Sequence, residues 1–180
     1  MKIVAFAGSN SINSINKKLI QHVCTYFKEH EVELLDLNDY ECPLFGVDLE
    51  MKIGIPDAAK QFANKIDSAG LLILSLAEHN GAYTAAFKNL FDWISRIKNR
   101  KAFGEKDMFL MACSDGKRGA SSVLEIAKKR MPFSGGNVLE SFSLPSYYSN
   151  FVEGEGIIDN ELKHTLESKI KTIQLKLSSK

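Results

Sequence analysis

Apolar residues cluster along this chain in two alternating rhythms. Lys2 to Gly8, Val32 to Leu37, Leu71 to Leu76 and Met108 to Cys113 are short runs dominated by apolar side chains, and a fifth lies near Val138 to Leu144. Runs of that length, bounded by glycine or polar loops, fit strands buried in a parallel sheet. Between them the spacing changes. Leu19, Ile20, Val23, Cys24 and Phe27 share one helical face, as do Phe87, Leu90, Phe91, Ile94 and Ile97. Pro56 suits the first turn of a helix running to about Ser68, and another helix is predicted from about Ser121 to Arg130. Leu162, Leu166, Ile170, Ile173 and Leu177 mark a terminal helix. Strand, helix and strand within the first forty or so residues make a βαβ unit.

Five strands alternating with five helices imply an α/β doubly wound three-layer sandwich. Its expected core is a five-stranded parallel sheet of order 2-1-3-4-5, within one domain spanning residues 1–180. In such sheets ligands bind beyond the carboxyl ends of the strands near the topological switch point. The loops after the first, third and fourth strands therefore matter most. Asn38 to Pro56 is long and irregular, broken by Pro43, Gly46, Gly54 and Pro56. Loops beyond about 12–15 residues are usually functional or mobile, so this one is expected over the site or at a subunit contact.

Composition narrows the partners. A formal net charge of +1 gives no support to a nucleic-acid or anionic-membrane surface. No apolar stretch approaches the roughly 20 residues of a membrane span, and the N-terminal run lacks the pattern of a secretory leader. The three cysteines, Cys24, Cys42 and Cys113, form no Cys-x-x-Cys pair, and a cytoplasmic location is expected. No His, Cys and carboxylate spacing suggests a metal site.

The first loop, Gly8-Ser9-Asn10-Ser11-Ile12-Asn13-Ser14-Ile15-Asn16, joins a glycine to four polar donors, Ser9, Ser11, Ser14 and Asn16, ahead of a helix. Neutral donors at the positive end of a helix dipole suit a terminal phosphate. The same residues also fit an N-cap within a Ser-rich turn that holds no ligand. The loop matches neither the P-loop nor the Gly-x-Gly-x-x-Gly pattern.

Gly8-Ser9-x-x-x-x-Ser14-x-Asn16 resembles the phosphate motif of the NAD(P)H-dependent FMN reductase family, Gly-Ser-x-Arg-x-x-Ser-x-Asn. Ala77-Glu78-His79-Asn80-Gly81, followed by Phe87-Lys88-Asn89-Leu90-Phe91-Asp92-Trp93, is similar to that family's second signature. Ser114-Asp115-Gly116-Lys117-Arg118-Gly119-Ala120 resembles its flavin loop, and Phe151-x-x-x-x-Gly156-Ile157-Ile158-Asp159 its lead into the last helix. Ser11 stands where the family has arginine, Ala77 where it has proline, His79 where it has tyrosine and Ala120 where it has a second glycine.

The resemblance implies a flavodoxin-like fold, FMN as cofactor and NADPH or NADH as co-substrate. By the same likeness Ser9, Ser11, Ser14 and Asn16 form the phosphate loop. Glu78, His79, Asn80 and Gly81 would line one edge of the isoalloxazine, and Ser114, Gly116 and Gly119 the other. It further implies a homodimer or homotetramer and a small-molecule electron acceptor such as free flavin, a quinone or an azo compound. Two rivals are a flavin-binding electron carrier and a cofactor-free scaffold domain.

Other residues read as structural. Lys88 and Asp92 are spaced to pair on a helix, and Trp93 and Cys113 fit a core better than a reactive role. Arg96, Lys98, Arg100 and Lys101 complement a helix end, whereas Lys117 and Arg118 sit in a site loop where they could meet the 2′-phosphate of NADPH. His22, His30 and His164 read as surface residues. Tyr147 and Tyr148, after Pro145, either cover a partner's site or pack.

Overall fold

The structure is a computed structural model and describes residues 1–179. Its elements run β1 (Lys2–Gly8), α1 (Ile15–Cys24), β2 (Glu31–Leu35), α2 (Val47–Ile53), α3 (Asp57–Ser68), β3 (Leu71–Leu76), β4 (Glu78–His79) and β5 (Ala82–Tyr83). They continue with α4 (Ala85–Ser95), β6 (Lys106–Cys113), α5 (Ser121–Arg130), β7 (Gly136–Leu144), α6 (Tyr147–Asn150), β8 (Phe151–Val152), β9 (Gly156–Ile157) and α7 (Asn160–Ser178). The main sheet is parallel throughout, in the order β2-β1-β3-β6-β7. Numbered among the five sheet strands alone, this is the expected order 2-1-3-4-5.

Alternation along the strands divides the core in two. Val4, Phe6, Leu72 and Leu74 join Phe62, Phe87 and Trp93 beneath α3, α4 and α5. Ile3, Ala5, Leu71 and Ile73 join Ile20, Val23, Ile170 and Ile173 beneath α1 and α7. Both faces of β1, β3 and β6 are thereby covered, which is why their sequences are apolar at nearly every position. Gly8 and Leu76 pair side by side at the carboxyl ends of β1 and β3, where the chain's crossovers part to opposite faces.

The long irregular stretch carries more order than its composition predicts. Leu37–Tyr40 form a 3-10 turn capped by Asp36, which accepts from the Asn38 N–H at 3.1 Å, and α2 follows. No residue of α2 is buried, so no apolar face betrays it in the sequence. The stretch is pinned by α4. The Asn89 side chain donates to the carbonyls of Cys42 (3.0 Å) and Pro43 (3.1 Å) and accepts from the Phe45 N–H (2.8 Å). Trp93, fully buried, donates its indole N–H to Pro43 O at 2.7 Å and meets the Phe45 ring edge-on. Lys88 pairs with Asp92 at 2.7 Å as its spacing predicts. The basic run beyond α4 is held in ion pairs, Arg96 with Glu50, Arg100 with Asp67 and Lys101 with Glu105.

The chain turns from β6 into α5 through two residues with positive φ, Gly119 (+57°) and Ala120 (+58°). A Cβ on Gly119 would lie 2.3 Å from Ser143 Oγ and 2.9 Å from Pro145 N, so this turn packs directly on the end of β7. Ala120 caps α5 without a side-chain acceptor. Glu78, reaching over from β4, fills that role by accepting from the Val123 N–H at 2.9 Å. On the sheet's edge, β7 contains a bulge: Met108 pairs with Val138 and Phe109 with Glu140, which leaves Leu139 as the extra residue.

His22 departs from its expected place on the surface. Its Nε2 is buried without a hydrogen-bond partner, and the ring meets Tyr26 and Phe151 edge-on. A Cβ on Gly156 would come within 2.0 Å of that ring, so the β8–β9 hairpin sits directly against it. Position on a helix alone does not reveal this, because the covering hairpin comes from the other end of the chain.

Two outcomes are expected. Ala120→Gly relieves a left-handed alanine and should raise unfolding stability by about 1 kcal/mol, whereas Gly119→Ala should lower it by at least about 2 kcal/mol, both measurable by urea unfolding. Burial, followed by Lys163, lowers the His22 pKa, against a smaller raising effect of Glu167. The neutral ring is therefore the form the fold prefers. Stability from this site is present above the ordinary histidine pKa of about 6.5 and is lost as pH falls through the lower folded value. His22→Gln should flatten the fall in melting temperature below about pH 6.5; an unchanged fall would locate the acid sensitivity elsewhere.

Candidate functional site

Loops after β1, β3, β6 and β7 converge on a cleft of about 270 Å3 beyond the carboxyl ends of the strands. Among the residues lining it are Ser9, Ser14, Asn16, His79, Ser114 and Tyr148. A second cavity of about 210 Å3 lies between the first loop, the 3-10 turn and α4. There the Asn89 amide is already engaged with the backbone of the 42–45 segment, so the first cleft offers the freer set of donors.

The β1 loop is built for an anion. Ser9 is nearly buried, and its Oγ accepts from the Ser11 N–H at 3.2 Å. Ser14 is the N-cap of α1 and accepts from the Lys17 N–H at 3.3 Å. A hydroxyl that accepts a backbone N–H keeps its own proton to donate. The first N–H groups of α1 have no acceptor within the helix and add to the dipole's positive end. Ser11 is exposed at the rim. Lys17 is paired with Asp36 and Lys18 with Glu153, so both ammonium groups are turned to carboxylates outside the loop rather than toward Ser11.

Asn16 has a different place from its neighbours. Its Oδ1 accepts from the Cys113 N–H (3.0 Å) and Ser75 Oγ (2.7 Å), and its Nδ2 donates to Cys113 O (3.2 Å). The side chain borders the cleft, yet its amide is turned into the protein, tying α1 to β3 and β6. Cys113 is buried beside it, and burial pushes its thiol well above the ordinary cysteine range. The thiolate is correspondingly disfavoured.

On the opposite side, β4 and β5 form a two-residue hairpin with Asn80 (φ +52°) and Gly81 (φ +78°) at its tip. Asn-Gly is the preferred pair for such a turn, and that dipeptide is the sequence signal for the hairpin. His79 lines the cleft from this hairpin. Glu78 lines it as well, but one carboxylate oxygen is held by α5 and the other lies 4.0 Å from Arg118. Thr84, a residue that sequence reasoning passed over, locks the hairpin in place. Its Oγ1 donates to Gly8 O at 2.9 Å and accepts from the Phe87 N–H at 3.2 Å, capping α4. A threonine directly before an amphipathic helix is the N-cap signal.

In the β6 loop, Ser114 lines the cleft and Gly116 lies exposed at the rim. Gly119 is buried under β7. The structure therefore brings Ser9, Ser11, Ser14, Asn16, Glu78, His79 and Ser114 around one cavity, while Asn80, Gly81, Gly116 and Gly119 shape its loops from outside the lining. Asn13, Ile15, Ala77, Asp115 and Tyr148 also line it. Asn13 lay within the polar loop and Tyr148 followed the last strand, both visible as positions but without a pattern marking them. Among the described residues no group of three His, Cys, Asp or Glu side chains is placed to hold a metal ion, and no helix is long and apolar enough to cross a membrane.

This site has relatives. Residues 1–149 match the pattern of the NADPH-dependent FMN reductase family. A Mycoplasma pneumoniae protein described as the MG342 homolog is 31% identical over 147 residues, covering 79% of this chain and 86% of its own length. A Staphylococcus aureus FMN-dependent NADPH-azoreductase is 28% identical over 120 residues, covering 64% of this chain and 62% of the azoreductase. In fold, the chain is similar to FerB, a flavoenzyme NAD(P)H:(acceptor) oxidoreductase from Paracoccus denitrificans, with a TM-score of 0.75 and 19% identity over 96% of this chain and 97% of that one. With its doubly wound sheet, its Ser-rich loop at the switch point and a pattern match over most of its length, the chain belongs to the NADPH-dependent FMN reductase family.

Proposed function

We propose that the cleft holds FMN and that the chain passes reducing equivalents from NAD(P)H to a small conjugated acceptor such as free flavin, a quinone or an azo compound. One observation carries this reading: hydroxyl groups and the N-terminus of α1 meet at one end of a cleft at the switch point, and no carboxylate stands in that loop. Such a donor set fits a phosphate dianion. Ser9, Ser11 and Ser14 would hold the phosphate by hydroxyl and backbone N–H donors, and Asn16 would serve by fixing the helix end. The Glu78–Gly81 hairpin and the Ser114–Gly119 loop would border the flavin ring on its two sides.

When bound, FMN supplies reversible two-electron chemistry. The chain's own residues bind and orient. The loops would leave one side of the flavin open, so that NAD(P)H and then the acceptor would occupy the same space in turn. Orientation of this kind accounts for a site without a catalytic triad. The exposed Lys117 and Arg118 on the β6 loop would be the cations to meet the 2′-phosphate of NADPH. On the same reading the chain works as a homodimer or homotetramer, which the exposed apolar side chains Leu44, Val47 and Met51 on and beside α2 support, and in the cytoplasm, which three cysteines without a paired spacing support.

The test is a titration of the purified protein with FMN, followed by anaerobic addition of NADPH. Saturable binding and bleaching of the flavin's visible absorbance are expected, with recovery on adding a quinone. Binding without bleaching would make the chain a carrier, and no binding would sink the reading. Ser11→Arg supplies a charged partner to the phosphate loop and should tighten FMN by about 10-fold or more, since a charge-assisted hydrogen bond is worth about 1.5–3 kcal/mol.

A further inference from the structure

Tyr148 is 76% exposed, yet it lines the same cleft as Ser9, Ser14 and His79. The segment that presents it is held firmly. Ser146 N–H donates to Gly116 O at 3.0 Å and Tyr147 N–H to Ser114 O at 2.9 Å, fastening α6 to the β6 loop. The Asn150 side chain donates to Pro145 O at 2.9 Å and closes the turn from within. Tyr147 is buried, stacked on Phe151 with ring centroids 4.9 Å apart and planes at 20°. Ser146 adopts φ +46°, a left-handed conformation unfavourable for a serine. Within the helical turn that follows, consecutive side chains point about 100° apart, so Tyr147 enters the core while Tyr148 stands at the cleft. Their rings stand 5.4 Å apart at 86°.

Tyr148 and His79 line one cleft from different parts of the topology. Loops after β1 and β7 leave the sheet toward the face covered by α1 and α7, and loops after β3 and β6 toward the face covered by α4 and α5. Tyr148 and His79 thus reach the cleft from segments that belong to opposite faces of the sheet. An exposed aromatic ring on a backbone fastened by hydrogen bonds loses little freedom on stacking, which makes it an effective platform for a planar ligand.

We propose that Tyr148 is a cofactor-contact residue that lays its phenol ring against the isoalloxazine of bound FMN. The inference rests on the flavin reading of the cleft and deepens it by naming a contact outside the family's motif residues. Tyr148 is the only phenol among the residues lining the cleft. A phenol in contact with an excited flavin quenches its emission by electron donation, whereas a phenyl ring does not. Stacking area and quenching can therefore be separated by substitution.

The experiment measures FMN affinity and bound-flavin fluorescence for the wild-type chain, Tyr148→Phe and Tyr148→Ala, with melting curves of the flavin-free proteins as the control for folding. The wild-type complex should be dim. Tyr148→Phe should bind within about 2-fold of wild type but fluoresce more brightly, and Tyr148→Ala should be bright and weaker by about 10-fold or more, as expected for loss of one stacked ring. All three flavin-free proteins should melt alike, because the side chain is exposed. A Tyr148→Ala protein with wild-type affinity and brightness overturns the contact and leaves the flavin reading standing; this includes the case in which it changes only the oligomeric state. A wild-type chain that binds no FMN overturns the flavin reading and the contact with it.

Discussion

The first turn of α1 is held over the strand ends by the side chain of Asn16. Both amide atoms are used: the oxygen accepts from Cys113 N–H and Ser75 Oγ, and the nitrogen donates to Cys113 O. The residue is 2% exposed, so each of these groups would be orphaned in the core without the others. An unsatisfied buried polar group costs about 1–3 kcal/mol. That is enough to fix where the helix begins relative to β6. The Ser9–Ser14 loop inherits its position from this clamp, and so does the direction in which the positive end of α1 points. Gly8 is tied from the other side by Thr84, which joins the end of β1 to the start of α4. The cleft is the space left between these two fastenings.

Much of the fold was legible in the sequence because the sheet is covered on both sides. β1, β3 and β6 are apolar at nearly every position, and short runs of that kind, set between amphipathic helices, fit strands buried on both faces and little else. The features that escaped are those whose partners lie far away in sequence or in solvent. α2 has no fully buried residue, only Leu49 half-buried against the core, and leaves no periodic trace. His22 is covered by Phe151 and Gly156, which no local pattern around position 22 could announce. The β4–β5 hairpin was within reach, since Asn80-Gly81 is a strong turn signal, but two-residue strands are too short for an alternation to show.

The candidate site was legible in a more uneven way. The motifs picked out the right loops, and seven of the eleven named residues line the cleft. Residue type, however, did not reveal the direction of each side chain. Glu78 turns to cap α5 because Ala120 brings no oxygen to that helix end. Gly119 is a glycine for the sake of β7, where Ser143 and Pro145 leave no room for a Cβ. Asn16 faces inward. In each case a residue that belongs to the motif works on the scaffold that shapes the cleft, and the open donors are left to the serines and the backbone.

The bulge at Leu139 has a consequence for how copies of this chain can meet. β7 is an outer strand, and outer strands are templates on which another chain can add a strand of its own. Here the ladder is interrupted at Leu139, whose carbonyl accepts from Lys176 on α7 at 3.4 Å, and the next residue, Glu140, is paired with Lys169 at 3.2 Å. A strand approaching this rim would meet a broken hydrogen-bond rhythm and charged side chains anchored across it. That makes the β7 rim a poor template for extending the sheet.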